Sequence, residues 1–230
     1  MTQTGRPLYD LFLRNNRRDI DKWHHYFSVY ERYFPAFMHR PISFLEIGVY
    51  KGGSLRMWRD FFGPQAKITG IDINPECMQH RGENIEVYIG DQADPEFLAR
   101  VAAERGPFDI ILDDGGHTAK QQIIALETLT PHVKEGGLFI VEDTHTSLWA
   151  DYMDHPLGIT FLDVATRMAE RLTWWHKERS SFDRYSTPYG ERKGNALVPA
   201  VTRAFFAITF YDSMVVFEKA RVGEPLRELR

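Results

Sequence analysis

Cysteine is nearly missing from the chain: Cys77 is the only one in 230 residues. No internal disulfide can form, and a thiolate zinc cluster would lack its other ligands, so a reducing compartment is expected. Long apolar runs are missing too. The N-terminal MTQTGRPLYDLFLRNNRRD holds no continuous leader core, and no stretch approaches the ~18 apolar residues of a membrane span. A cytoplasmic chain without a membrane partner follows. Nor is there an excess of base, since 28 Lys and Arg face 32 Asp and Glu for a net charge of −4. That balance speaks against a nucleic-acid clamp held by phosphate neutralisation. Repeats and low-complexity tracts are absent as well. What is present, 43% hydrophobic and 26% charged residues, is enough for one compact core and excludes whole-chain disorder.

Five short apolar segments close on acids or glycine: SFLEIG at 43–48, KITGIDI at 67–73, IEVYIGD at 85–91, FDIILDD at 108–114 and GLFIVED at 137–143. Each is predicted as a buried strand, and the closing acids Glu46, Asp72, Asp91, Asp113 and Glu142 are spaced as strand–helix units require. Near the C-terminus, FFAITF and MVVFEK flank Tyr211-Asp212-Ser213 and predict an antiparallel hairpin. The expected fold is α/β: Rossmann-like, doubly wound, with a seven-stranded, mostly parallel sheet ending in that hairpin. Leu55, Trp58 and Phe62 predict a helix with Ser54 as N-cap. Thr118 and Gln121 predict a capping box for a helix after His117. Trp23, Phe27, Tyr30 and Phe34 predict a helix over 21–34 whose aromatic stripe packs in the core. The expected organisation is an N-terminal helical segment over 1–40, the main domain over 41–220 and a tail over 221–230. Within the domain an insertion at 144–200 holds a helix around FLDVATRMAERLTWW and a polar stretch, and serves as a lid or an oligomer contact. Arg179, Arg184, Arg192 and Lys193 form a local basic patch there, read as a solvated loop before an anion site.

In an open parallel sheet, ligands sit outside the carboxyl ends of the strands. The segment EIGVYKGGS puts Glu46 at the close of the first strand, with Gly48, Gly52 and Gly53 in the turn and Ser54 after it. Asp72 is placed to accept from ribose hydroxyls, and Asp91, with Gln92 beside it, from an amino group such as that of adenine. A pyrophosphate would not tolerate Glu46, whereas a cationic cofactor with an amino-acid tail suits the acidic rim. S-adenosylmethionine has those properties. At these residues the sequence resembles the class I methyltransferases, although Tyr50 stands where their motif commonly has glycine. Glu46, Gly48, Gly52, Ser54, Asp72, Asp91, Gln92 and Asp113 are the expected cofactor residues.

DDGGH sets Asp113, Asp114 and His117 at the end of the fourth strand, and VEDTH sets Glu142, Asp143 and His145 at the end of the fifth. Carboxylates converging there need a cation, and oxygen donors suit Mg²⁺, with Mn²⁺ or another transition metal left open by the histidines. A nearby imidazole can take a proton from a hydroxyl acidified by that ion. The pattern LEIGVYKGGSL, GDQAD, FDIILDDGGH and VEDTHTS resembles a branch of metal-dependent sugar O-methyltransferases. The resemblance implies Asp114, Glu142 and Asp143 as metal ligands and His117 as general base. DKWHHY is similar to a segment preceding the domain in that branch, which implies that Lys22, His25 and Tyr26 approach cofactor or substrate. His145 is read first as structural and second as a substrate contact. The expected acceptor is a small saccharide or glycoside, whose vicinal diol chelates as a catechol would. A catechol O-methyltransferase, an iron-dependent hydroxylase and a catalytically silent cofactor-binding module are the other readings, and a homo-oligomer is allowed. DDGGH departs from the Asn/Asp-Pro-Pro-aromatic motif of DNA amino-methyltransferases, so no nucleic-acid substrate is expected.

Overall fold

The computed structural model describes residues 5–17, 19–228 and 230. Strands β1 (Ser43–Ile47), β2 (Lys67–Asp72), β3 (Ile85–Ile89), β4 (Phe108–Asp113), β5 (Val133–Val141), β6 (Phe205–Tyr211) and β7 (Met214–Lys219) form one sheet in the order β3-β2-β1-β4-β5-β7-β6. The first five are parallel, and β7 pairs antiparallel with both β5 and β6. The expected topology is therefore present, including the hairpin turn at Asp212-Ser213, where Ser213 takes φ 62°.

Strand parity sorts the core into two layers. Phe44, Ile110 and Ile140 face helices α1 (Pro7–Arg14), α2 (Tyr26–Tyr33) and α3 (Gly53–Phe62). Leu45, Ile111 and Phe139 face α4 (Pro95–Arg105), α5 (Ala119–Leu129) and α6 (Phe161–Arg171). Because side chains alternate along a strand, Glu46 and Glu142 fall on the first face and Asp113 on the second.

Several local expectations are corrected. Ser54 does not cap α3. The helix starts at Gly53 with Gly52 at its N-cap in the left-handed region, and the Ser54 hydroxyl instead donates to Glu46 Oε2 at 2.7 Å. The helix expected over 21–34 is shorter, since a turn precedes Tyr26 and Pro35 opens a 3₁₀ turn at Phe34–Phe37. Phe27, Tyr30 and Phe34 are buried, but Trp23 lies before the helix and is 57% exposed, so it is not part of the stripe. The capping box is formed, with Thr118 Oγ1 accepting from Gln121 N and Gln121 Oε1 from Thr118 N. Helix α1 falls in the expected N-terminal helical segment and helix α4, capped by Asp94, in an expected strand–helix unit, although the sequence sets bounds for neither.

Within 144–200, α6 joins the second layer through Phe161 and Ala165. The polar stretch carries the short helix α7 (Ser181–Ser186) and is tied to the tail by Glu224, which accepts from Arg184, Arg192 and the Ala196 amide. The Arg184 hydrogen bonds, outweighing burial, hold the Glu224 carboxyl down at about 2. Two members of the basic patch are thus occupied within the chain. Among the described residues no helix is long and apolar enough to cross a membrane.

Candidate active site

The parallel strands end level with one another: Ile47 pairs with Ile71 and Asp113, and Asp113 with Val141. Chain order reverses between β1 and β4, and a cavity of ≈ 670 Å³ opens beyond their carboxyl ends. This is where a doubly wound sheet places its ligand. The stretch 19–23 ahead of α2 forms part of its wall.

On the β1–β3 side, Gly48, Ser54, Asp72, Asp91 and Gln92 all border the cavity. Gly48 has φ 95°, and a Cβ there would sit 1.9 Å from the Asp114 carbonyl oxygen, so the turn admits only glycine. Asp72 Oδ2 accepts from Val49 N at 2.8 Å and Tyr50 N at 3.0 Å, and Oδ1 from Asn74 N at 2.8 Å. Burial opposes ionisation there, but these amides outweigh it and hold the carboxyl below its ordinary range. Asp91 is exposed, and its Oδ1 accepts from Ala93 N.

Three expected cofactor residues do not reach the cavity wall. Gly52 packs against the His80 ring. Glu46 and Asp113 are fully buried strand residues. Asp113 points to the second face, where Gln92 Nε2 donates to it at 2.7 Å, and burial pushes its carboxyl up to about 7. The Gln92 amide is consumed by that bond and by Gly116 N, so this pair fixes the 114–117 loop. In sequence these acids look like their neighbours; strand parity turns Asp113 to the other face, whereas Glu46 lies one residue short of the end of β1.

On the first face Lys22 reaches between three carboxylates. Its ammonium lies 2.5 Å from Asp114 Oδ2, 3.0 Å and 3.1 Å from the two Glu142 oxygens and 3.6 Å from Glu46 Oε1. Tyr30 also donates its hydroxyl to Glu142 Oε1. Burial alone would discharge Lys22, but Asp114, Glu142 and Glu46 reverse this and raise its pKa well above the ordinary value. Burial also raises Glu142, with the Asp114 charge adding to it and Lys22 opposing. Burial pushes Glu46 up to about 7 against the pull of Lys22. Sequence reasoning brought Lys22 near the site but missed its part as shared counter-ion, and missed Tyr30 altogether. No local signal announces that part: Lys22 stands between Asp21 and Trp23 in DKWHHY and reads as an ordinary solvated lysine.

The groups facing the cavity from β4 and β5 are Asp114, His117, Glu142 and Asp143. One donor atom each from Asp114, His117 and Asp143 lies within 4.8 Å of the other two. His117 Nε2 is 3.4 Å from Asp143 Oδ2. Both residues hold the left-handed backbone region, at φ 60° and 52°, and the Thr146 hydroxyl braces the His117 carbonyl at 2.8 Å. Such strain is retained where geometry matters. Glu142, expected beside them as a ligand, has both oxygens turned to Lys22 instead. Tyr26 donates to Asp143 Oδ1 at 2.5 Å, and His145 Nδ1 is 3.9 Å from that atom. His25 faces the exposed Asp212 at 3.9 Å and stands back from the cavity. Three carboxylates surround one ammonium, and oxygens of Asp114 and Asp143 meet at the rim. The donor chemistry therefore fits a hard divalent cation.

The methyltransferase-domain family matches residues 45–144. The sheet order above agrees with that match, and the chain has the fold of the MycE methyltransferase structure described below. The proteins similar to it include sugar O-methyltransferases and, over 43% of the chain at 34% identity, a ribosomal RNA large subunit methyltransferase E of Syntrophobacter fumaroxidans. The tetracenomycin rhamnosyl 3'-O-methyltransferase of Streptomyces olivaceus is 34% identical over 231 residues, covering 96% of this chain and 56% of the relative. The mycinamicin VI 2''-O-methyltransferase of Micromonospora griseorubida is 42% identical over 137 residues, 56% of this chain and 34% of the relative. The solved structure of MycE methyltransferase with Mg, SAH and mycinamycin VI superimposes with a TM-score of 0.78 at 29% identity, over 96% of this chain and 55% of that one. The chain thus spans about half the length, or less, of these relatives.

Proposed function

We propose that the chain transfers a methyl group from S-adenosylmethionine to a hydroxyl of a saccharide or glycoside, with a divalent cation bound at the β4–β5 rim. The observation that carries this is the convergence of Asp114, His117 and Asp143 on the same cavity that Asp72 and the Gly48 turn border. The sugar-modifying relatives support the acceptor class.

The cavity fits the cofactor. Its volume suits a nucleoside-sized ligand, the Asp72 carboxylate is kept ionised with lone pairs to spare for ribose hydroxyls, and Asp91 is free to accept from a base amino group. S-adenosylmethionine supplies the methyl group on a sulfonium centre, whose positive charge the acidic rim favours. Asp114 and Asp143 would hold the cation, with Glu142 as third carboxylate if Lys22 gives up its contact. When bound, the ion supplies Lewis-acid stabilisation of negative charge at the acceptor oxygen. His117 takes the proton at Nε2, where the Asp143 carboxylate 3.4 Å away stabilises the imidazolium. Tyr26 fixes the Asp143 rotamer through its hydroxyl. The remaining work is alignment of acceptor and donor for a direct displacement.

One observation favours a second role for His117. Its donor atom closes the group with Asp114 and Asp143, so it could itself be the third ligand. The testing experiment incubates the chain with S-adenosylmethionine, Mg²⁺ and methyl α-L-rhamnopyranoside and follows product mass. A product heavier by one methylene unit, lost with chelator and restored by Mg²⁺, is expected. Turnover that persists in chelator removes the cation from the scheme. Oxygen-dependent hydroxylation with iron and no methyl transfer would replace it.

A further inference from the structure

The rings around Asp143 form a train that leads out of the cavity. Tyr26, bonded to Asp143, meets His25 with centroids 4.6 Å apart, and His25 meets Trp23 at 6.0 Å. Trp23 meets His145 edge-on at 6.3 Å, and His145 meets Trp149 at 4.9 Å. Inside this train lies a polar point, because His145 Nδ1 is buried without a hydrogen-bond partner.

The two indoles come from separate segments, one before α2 and one after β5, yet they border the same histidine. Neither is a core residue: Trp23 is 57% and Trp149 50% exposed, and the neighbouring Leu148 is 75% exposed. Two indoles left to water on either side of one histidine, with Trp23 on the cavity wall, mark a ligand surface. A flat apolar face combined with unpartnered polar groups suits a molecule that is apolar on one side and hydrogen-bonding at its edge. A pyranose ring answers that description, with C–H bonds on its face and hydroxyls around its rim.

We propose that Trp23 and Trp149 flank an acceptor subsite that takes a pyranose by its C–H face and turns a hydroxyl toward Asp143 and His117. The inference rests on the methyl-transfer reading and names what selects a sugar at that site.

The test uses the full chain with Trp23→Ala, Trp149→Ala and the corresponding phenylalanine variants, and methyl α-L-rhamnopyranoside as probe. Each alanine variant should raise the KM for the glycoside about ten-fold, with kcat and S-adenosylmethionine affinity essentially unchanged, and phenylalanine should recover most of the loss. An unchanged KM in both alanine variants overturns the subsite, and so does a wild-type preference for catechol over the glycoside. Saturation-transfer NMR with Mg²⁺ and S-adenosylhomocysteine reads the contact without turnover. Transfer to the sugar C–H protons that vanishes in Trp149→Ala supports the subsite even if no methylated product forms, in which case the methyl-transfer reading alone fails. No transfer in the wild-type chain overturns the subsite, while methylated product with indole-independent KM leaves methyl transfer standing without it.

Discussion

The two faces of the sheet bury acids in opposite ways. Beneath α2 and α3, Glu46 and Glu142 share the Lys22 ammonium, and Tyr30 adds a hydroxyl. Beneath α4 and α5, Asp113 has no cation. It has the Gln92 amide and the Gly115 N–H on one oxygen, and its Oδ2 is unpartnered. Burial therefore favours the proton on Asp113, while Lys22 supplies the countercharge on the other face. The first arrangement holds a charged cluster ready at the rim; the second is a scaffold for the loop that carries it. The two acids that meet His117 at the cavity, Asp114 and Asp143, each follow a strand by a residue or two.

Deleting the cation is the severest way to test this contrast. Lys22→Met should lower the unfolding free energy by about 3–5 kcal/mol, because it strands a buried anionic cluster. Urea denaturation measures it, and a loss below about 1 kcal/mol would mean that the carboxylates do not depend on Lys22. His117→Ala should reduce kcat by about 10²–10⁴-fold while Mg²⁺ affinity, measured by calorimetry, is kept. A fall in that affinity would make His117 a ligand. On the opposite face the effect is a slope. Asp113 is raised from 3.8 to about 7, so the folded state keeps a proton that the unfolded chain releases. Stability then falls as pH rises from about 4 to about 7, and Glu46 adds the same sign. Asp113→Asn should flatten this dependence of the urea midpoint, and a slope identical to wild type would assign it elsewhere. The smallest effect belongs outside the rim. Glu224→Gln should cost about 1 kcal/mol or less and speed amide exchange at Ala196, whose N–H donates to Glu224 at 2.8 Å; unchanged exchange would mean that the tail does not secure this stretch.

Much of this was legible in the sequence. Strand positions, hairpin and the Thr118 capping box follow from periodicity and turn chemistry, which are local. The rim acids were legible as a group, since each closes an apolar run. Which of them faces the cavity was not, because Asp113 and Asp114 differ only by the side of the sheet on which a single backbone step leaves them. Ser54 looked like a cap, but Glu46 offered its hydroxyl a buried acceptor that a helix terminus could not match. Two members of the basic patch, Arg184 and Arg192, are neutralised for a similar reason: their counter-charge, Glu224, is remote in sequence. Lys22 lies 120 residues from Glu142, and no local pattern announces such a pairing.

That long-range pairing changes how the chain can be divided. Tyr30 and Phe34 also meet Trp58 edge-on, so the stretch before β1 supplies both an apolar wall and, in Lys22, the positive end of the site. A trimmed version beginning at residue 41 would expose Phe44, Trp58 and Phe62 and leave an empty anionic socket at the mouth. The stretch from Asp19 to Phe34 is better regarded as one wall of the reaction chamber than as an appendage to it.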